Sequence, residues 1–277
     1  MNRYDEPKID CHLHIFDPAR FPYAADTVYR PSGQEVATVA QFQHLMDAYG
    51  VTNALLVGPV SGYGNDNACL LDALAQGKGR FRGIAMMPTD ASVDQLADLK
   101  AQGVVGVALN VPMCGADYVL SAQPFYDKLN ALGMFVQIQV EADQLAPLKP
   151  VLESSGVQLI VDHCGRPDVA AGIGQAGFQA LLDLAGTGRT TVKLSGFSKF
   201  AKTPYPYPDT QPYLAALLDA FGAERCMWGS DWPFLRAPER IDYGTLLTLV
   251  ERQIPDAGQR HQVLYETPRT LFGFGAA

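Results

Sequence analysis

Short apolar runs alternate with longer amphipathic segments from one end of this 277-residue chain to the other. Eight runs are rich in Val, Ile and Leu, as strands covered on both faces must be, and they are predicted strands. They span residues 8–14, 53–58, 81–87, 103–110, 134–140, 158–164, 190–196 and 226–231. Eight segments of helical periodicity follow them, at 36–49, 66–77, 92–101, 124–132, 143–154, 175–186, 211–221 and 239–253. Eight strand–helix repeats predict a closed (β/α)₈ barrel, with all 277 residues in a single domain.

An open, doubly wound α/β sheet would alternate in the same way. Such sheets usually have fewer strands and carry a glycine-rich phosphate loop near the start. Neither GxGxxG nor GxxxxGK[ST] occurs in the sequence, so the closed barrel is favoured.

The composition narrows the class of protein. Apolar residues make up 48% and charged residues 18%, which is typical of a soluble protein with a large core. The net charge of -8 argues against a nucleic-acid partner. No apolar signal segment or membrane-length apolar run is present, so no membrane partner is expected. Five cysteines without a CxxC pair indicate reduced thiols and a cytoplasmic protein, while self-association into a homo-oligomer stays open.

Polar residues collect where the predicted strands end. His12 and His14 close the first strand, His163 closes the sixth and Asp231 closes the eighth. Alternation along a strand would put both histidines on one face together with Asp10, with Cys11 facing the other way. In a (β/α)₈ barrel the strand ends and the loops after them form the active site. These four residues are therefore candidate catalytic residues.

Three motifs carry a resemblance to a known family. IDCHLH (9–14), VDHCGRPD (161–168) and MWGSDWP (227–233) resemble the amidohydrolase superfamily, and within it the lactone-hydrolysing branch around 2-pyrone-4,6-dicarboxylate lactonase and the sugar-acid lactonases. The resemblance runs from residue 9 to residue 274. It implies a lactonase in which Asp231 takes a proton from water while His12, His14 and His163 polarise the ester carbonyl. Ester hydrolysis needs both functions.

Many members of this superfamily bind zinc, and here the candidate ligands are His12, His14 and Asp231. The expected ligand on the fifth strand is missing, because MFVQIQV (134–140) offers only Gln137 and Gln139. The lactonase branch resembles this chain in lacking that ligand. We therefore expect no obligatory cofactor, although one divalent cation such as zinc can bind three such ligands.

Candidate substrate-binding residues come from the same comparison of motifs. Lys199 and Arg166 are cations near strand ends, and a tyrosine at position 29 matches a substrate-contacting tyrosine of the branch. The remaining candidates are Asn67 and Gln139. Ala108 stands where the dicarboxylate lactonase has an arginine that clamps a carboxylate. Without that bidentate clamp, a neutral or monoacidic lactone is the expected substrate.

Two other functions are alternatives to lactone hydrolysis. One is a zinc-dependent hydrolase or decarboxylase of the same superfamily. The other is a binding protein that keeps only the barrel, which has no need for His12, His14, His163 and Asp231 together.

Overall fold

All eight apolar runs form parallel strands in one sheet. The structure is a computed structural model that describes residues 4–275. The sheet follows chain order from β1 to β8, which confirms the predicted (β/α)₈ barrel. Its strands are β1 (Lys8–Leu13), β2 (Val51–Val57), β3 (Phe81–Met86), β4 (Val104–Asn110), β5 (Phe135–Gln139), β6 (Leu159–Val161), β7 (Thr190–Leu194) and β8 (Cys226–Trp228).

A long helix lies at each predicted helical segment. These are α1 (Val39–Tyr49), α2 (Ala68–Gln76), α3 (Val93–Ala101), α4 (Gln123–Leu132), α5 (Leu145–Ser154), α6 (Ala176–Leu184), α7 (Gln211–Phe221) and α8 (Tyr243–Gln253). Ser92 begins α3 with a capping box, in which its hydroxyl accepts a hydrogen bond from the Gln95 amide. Sequence periodicity missed the shorter helices at Val60–Tyr63, Val111–Cys114, Ala116–Leu120, Ala257–His261, Gln262–Glu266 and Thr267–Leu271. The first three are too short to show a period, whereas the last three follow one another without a break from 257 to 271, where the π-helical turn Gln262–Glu266 interrupts the 3.6-residue repeat.

The interior of the barrel is apolar at one end and polar at the other. Its apolar part is a cluster of inward-facing strand residues that includes Ile9, Cys11, Leu55 and Ile160. Aromatic residues of the C-terminal segment close this end: Tyr265, Phe272 and Phe274. The polar end carries the strand termini where the candidate residues lie. None of the helices within residues 4–275 has the length and apolar composition needed to cross a bilayer.

The aromatic closure should carry much of the stability of the barrel. Phe272 is 4% exposed and meets the Phe135 ring of β5 edge to face, with centroids 5.6 Å apart. Phe272→Ala should lower the free energy of unfolding by about 3–5 kcal/mol, because it removes this contact and leaves a cavity. Ile173→Ala, at a side chain that is 47% exposed, should change it by less than about 0.5 kcal/mol. Chemical denaturation of both variants measures the difference, and equal stabilities would show that the C-terminal aromatics do not seal the barrel.

Candidate active site

The barrel closes where β1 meets the segment after β8. The amide of Asp231 donates a hydrogen bond to the carbonyl of His12 (2.7 Å), and the amide of His14 donates to the carbonyl of Trp232 (2.9 Å). Leu13 and Trp232 form a parallel bridge between these two bonds. This seam fixes the backbone of Asp231 against both histidines of the first motif.

Three imidazoles converge on one oxygen of Asp231. The Nε2 atoms of His12 and His14 each lie 3.8 Å from Asp231 Oδ1, and Nε2 of His163 lies 4.0 Å from it. These separations are too long for direct hydrogen bonds, and they suit a water or substrate oxygen between the groups. All four predicted catalytic residues therefore come together, and their roles stay predictions.

Each imidazole is held by a partner at its other nitrogen. His14 Nδ1 lies 2.8 Å from the carbonyl oxygen of Val57, and His163 Nδ1 lies 2.9 Å from Ser195 Oγ. A carbonyl only accepts hydrogen bonds, so His14 Nδ1 carries the proton. Neutral His14 then turns an Nε2 lone pair toward Asp231.

Burial keeps the imidazoles neutral. It lowers the pKa of His163 to about 3 and also lowers the pKa of His14. Burial, followed by the nearby Lys193 ammonium, holds the pKa of His12 well below its ordinary value. At neutral pH the three rings therefore present hydrogen-bonding nitrogens and no positive charge.

Asp231 is a carboxylate in this environment. Burial alone would raise its pKa, but the Lys199 ammonium, 3.5 Å from Oδ2, and the three imidazoles outweigh burial. Together they hold the pKa of Asp231 well below its ordinary value. Lys199 also donates a hydrogen bond to the carbonyl of Leu235, which fixes the ammonium beside the carboxylate.

A buried polar network under His12 was missed by sequence reasoning. Lys193 Nζ lies 3.1 Å from both His12 Nδ1 and Asp162 Oδ1, and it donates to Gln137 Oε1 (2.5 Å). The Gln137 amide in turn donates to Asp162 Oδ2 (2.8 Å). The signal was present in the sequence, because a lysine in the middle of an apolar strand is almost never buried unless it is paired.

A bulge in β1 corrects the predicted alternation. Asp10 pairs with Ala54 and Leu13 with Leu56, so three steps along β1 match two along β2. Asp10 consequently does not share a face with the histidines. Its carboxylate accepts hydrogen bonds from the Ser230 amide (2.9 Å) and the Tyr243 hydroxyl (2.9 Å). Burial raises the pKa of Asp10 to about 6.

The imidazoles open into a cavity of about 690 Å³ at the polar end of the barrel. Of the predicted substrate-binding residues, Gln139, Arg166 and Lys199 line it. Ala108 also lines it, so no cation stands at that position. Arg166 pairs with Glu141 at 2.7 Å rather than with a carboxylate that follows β8.

Two predicted substrate contacts are not among the residues that line the cavity. The Tyr29 hydroxyl donates to Glu35 Oε2 (2.5 Å), and the Arg236 guanidinium lies over the Tyr29 ring, 4.1 Å from its centroid. The Asn67 side chain bonds the Met86 backbone through both its nitrogen (2.8 Å) and its oxygen (3.0 Å). In the structure these polar groups make contacts within the protein, and the assignment of Tyr29 and Asn67 to the substrate stays a prediction. In the loop at 197–210, Tyr207 is buried in the core.

Comparison with known proteins decides the family. The family model described as "Amidohydrolase" matches residues 9–274. This chain belongs to the amidohydrolase family.

Similar amidohydrolases include enzymes named for lactone substrates. The chain is 32% identical to 4-sulfomuconolactone hydrolase from Rhizobium radiobacter, over 95% of this chain and 89% of the relative. It is 26% identical to 2-pyrone-4,6-dicarboxylate hydrolase from Comamonas testosteroni, with the same coverage of 95% and 89%. A solved structure described as a putative 2-pyrone-4,6-dicarboxylic acid hydrolase from Pseudomonas putida superposes with a TM-score of 0.89, at 32% identity and 98% coverage of each chain.

Three atoms of this amidohydrolase fit a divalent cation. His12, His14 and Asp231 each offer a ligand atom, and these atoms lie within 4.8 Å of one another. His14 has the Nδ1–carbonyl bond that commonly orients a metal-binding imidazole. Gln137 offers no further ligand, because both ends of its amide are engaged. A cation held by the three residues would act as a Lewis acid and lower the pKa of bound water.

The protonation of the imidazoles can be observed directly. In the folded protein, the side-chain nitrogen resonances of His14 and His163 should show no protonation step near pH 6.5, and His14 should carry its proton on Nδ1. The same histidines in the urea-unfolded chain should titrate near 6.5, since burial is lost. Heteronuclear NMR of histidine-labelled protein measures both states. A folded-state midpoint near 6.5 for His163 would contradict the neutral cluster.

Proposed function

We propose that this protein opens a lactone ring with water and releases the hydroxy acid. The observation that carries the proposal is the Asp231 carboxylate, which faces three neutral imidazoles and the Lys199 ammonium in one cavity. Ester hydrolysis needs a base beside the water and hydrogen-bond donors where the oxyanion forms. This cluster supplies both kinds of group.

Water is held between Asp231 and His14. Water donates one hydrogen bond to Asp231 Oδ1 and another to the lone pair at His14 Nε2, which the Val57 carbonyl keeps unprotonated. Two fixed acceptors orient the water lone pair toward the acyl carbon of the lactone. His14 therefore acts as an acceptor for water.

His12 and His163 face the carbonyl oxygen. Lys193 donates to His12 Nδ1 and Ser195 donates to His163 Nδ1, which leaves each Nε2 as an N–H donor. Together with Lys199, these donors bind the oxyanion of the tetrahedral intermediate. Loss of a single oxyanion donor typically costs about 10²–10³-fold in turnover.

Asp231 both accepts and returns the proton that the reaction moves. Its carboxylate takes a proton as the water oxygen bonds to the acyl carbon, and it returns the proton to the ring oxygen as the acyl–oxygen bond breaks. A carboxylate paired with an ammonium is a weak base. When the substrate oxyanion engages Lys199, the attraction that lowers the pKa of Asp231 weakens and its basicity rises.

The relatives support this reaction class, because they are named as hydrolases of 4-sulfomuconolactone and 2-pyrone-4,6-dicarboxylate. The substrate of this chain differs from the dicarboxylate. Ala108 leaves its part of the wall without a cation, and burying an unpaired second carboxylate would cost several kcal/mol. A lactone with at most one acidic group fits the cavity best.

The proposal also includes the domain organisation, the binding partner and the cellular compartment of the enzyme. All 277 residues act as a single barrel domain, which the single eight-stranded sheet supports. The partner is a small molecule, which suits the net charge of -8 better than nucleic acid does. The free thiols of Cys11, Cys69, Cys164 and Cys226 are buried and suit a reducing, cytoplasmic compartment.

The role of Asp231 has a direct test. Asp231→Asn keeps the side-chain volume and removes the base, so kcat for lactone hydrolysis should fall by about 10²–10⁴-fold. Release of one proton per ring opened gives the rate in a pH-indicator assay, and circular dichroism checks the fold. Near wild-type turnover in a folded variant would eliminate the mechanism.

A metal ion should be dispensable, because Lys199 already places a positive charge 3.5 Å from Asp231 and Gln137 gives no further ligand. Dialysis against a strong chelator should leave most of the lactonase activity, with the metal content followed by mass spectrometry. Complete loss of activity that one equivalent of zinc restores would favour the zinc-dependent hydrolase.

Two glycines leave room for the imidazoles. A β-carbon added to Gly196 would lie 2.5 Å from His163 Nδ1, and one added to Gly229 would lie 2.7 Å from the β-carbon of His12. Gly196 also has a φ of +64°, in the left-handed region that favours glycine. Any side chain at position 196 must therefore displace the His163 ring.

Gly196→Ala should lower kcat by about tenfold to hundredfold, since small displacements of catalytic groups are costly. Gly188→Ala is the matched control, because Gly188 has a similar φ of +69° and no atom within 4 Å of an added β-carbon. Both variants bear a similar backbone strain of about 1–2 kcal/mol, but only the first meets a catalytic ring. Equal kcat values for the two would show that the position of His163 is unimportant.

A further inference from the structure

The carboxylates that line the cavity are already matched by cations. Glu141 pairs with Arg166 at 2.7 Å, Asp162 with Lys193 at 3.1 Å and Asp231 with Lys199 at 3.5 Å. The two cations that the sequence suggested for substrate binding, Arg166 and Lys199, are both in these pairs. The charge within the cavity therefore balances without a substrate.

Arg236 lines the same cavity and breaks this balance. Within residues 4–275, no carboxylate oxygen lies within 4.0 Å of its guanidinium. The nearby Glu35 makes its hydrogen bonds elsewhere, because Oε1 accepts from the Arg236 backbone amide (2.7 Å) and Oε2 accepts from the Tyr29 hydroxyl (2.5 Å). The Arg236 guanidinium therefore reaches the cavity without a carboxylate directly paired with it.

The guanidinium is also held in place. Its carbon lies 4.1 Å from the centroid of the Tyr29 ring, and Glu35 fixes both that ring and the Arg236 backbone. Stacking on an aromatic face leaves the N–H groups at the guanidinium edge available. A planar fork of this kind binds a carboxylate through two parallel hydrogen bonds.

We propose that Arg236, stacked on Tyr29, is a specificity-determining residue that binds one oxyanion substituent of the lactone substrate. The inference rests on the proposed lactonase function and specifies its substrate class as a lactone with a single carboxylate-like group. An unbalanced cation in a concave site also attracts an anion as it approaches. The lining also includes the apolar side chains of Val28 and Met113, which are 72% and 50% exposed. They suit the uncharged part of the ring.

The test compares two lactones that share one ring. One carries a carboxylate substituent and the other carries its methyl ester. For each, kcat and KM are measured with the wild type, with Arg236→Gln and with Arg240→Gln. Arg240 is the matched control, because it belongs to the same loop but pairs with Asp242 and does not line the cavity. The side chains of Arg236 and Arg240 are both exposed, so thermal unfolding of the two variants should match that of the wild type.

Arg236→Gln should lower the ratio of kcat/KM for the carboxylate over the ester by at least about tenfold, mainly through KM. Arg240→Gln should leave the ratio within about twofold. An unchanged ratio in Arg236→Gln, or an equal fall in both variants, would overturn the proposal.

A failure of the Arg236 proposal can be distinguished from a failure of the proposed lactonase function. If the wild type opens neither lactone, the failure concerns turnover of this ring and not Arg236, and calorimetric titration with the same two compounds then decides the role of Arg236. A tenfold preference of the wild type for the carboxylate compound that Arg236→Gln lacks supports the anion site. Equal binding of both compounds by the wild type overturns it.

Discussion

Two main-chain hydrogen bonds across the β1–β8 seam govern both the fold and the chemistry. The Asp231 amide bonds the His12 carbonyl, and the His14 amide bonds the Trp232 carbonyl. They join the first strand of the barrel to the segment after the last strand. The same two bonds set the distance from Asp231 to the imidazoles of His12 and His14. Asp10 reinforces the seam from behind by accepting the Ser230 amide. Closure of the barrel and assembly of the site are consequently one event.

The second constraint is electrostatic. Burial keeps three imidazoles uncharged, so one ammonium and one carboxylate, Lys199 and Asp231, dominate the field at the reacting position. Under His12, Lys193 donates a hydrogen bond to Nδ1, and its ion pair with Asp162 holds the ammonium in place. A hydrogen-bonded pair is the form in which charges are tolerated in a barrel interior. The buried network of Lys193, Asp162 and Gln137 therefore fixes the orientation of His12.

Much of the fold was predictable, because buried parallel strands appear in a sequence as short, nearly continuous apolar runs. Eight apolar runs indicated eight strands, and the rule that strand ends carry the site brought His12, His14, His163 and Asp231 together. Periodicity could not show the bulge in β1, which needs one extra residue and leaves no mark in composition. It therefore misplaced Asp10.

The substrate side was less predictable, because it depends on loops. Tyr29 and Asn67 are polar residues next to strand ends, and the sequence does not tell a substrate contact from a bond within the loop. In the structure Asn67 bonds the Met86 backbone, and the Tyr29 ring lies under the Arg236 guanidinium. Lys193 could have been found as a charge inside an apolar strand. Arg236 could not, since an exposed loop arginine resembles any other surface arginine.

The central claim is that Asp231 is ionised and the three imidazoles are neutral before substrate binds. The pH dependence of kcat/KM for lactone hydrolysis tests it most directly, because this constant reports ionisations of the free enzyme. Burial lowers the pKa of His163, and the Lys199 ammonium lowers the pKa of Asp231. The neutral imidazole and the carboxylate therefore persist well below pH 6.5. We predict that kcat/KM stays level from pH 8 to about pH 5. A tenfold fall per pH unit below about 6.5, with His14 or His163 titrating over the same range in the folded protein, would mean that an imidazole titrates normally, and it would contradict the account.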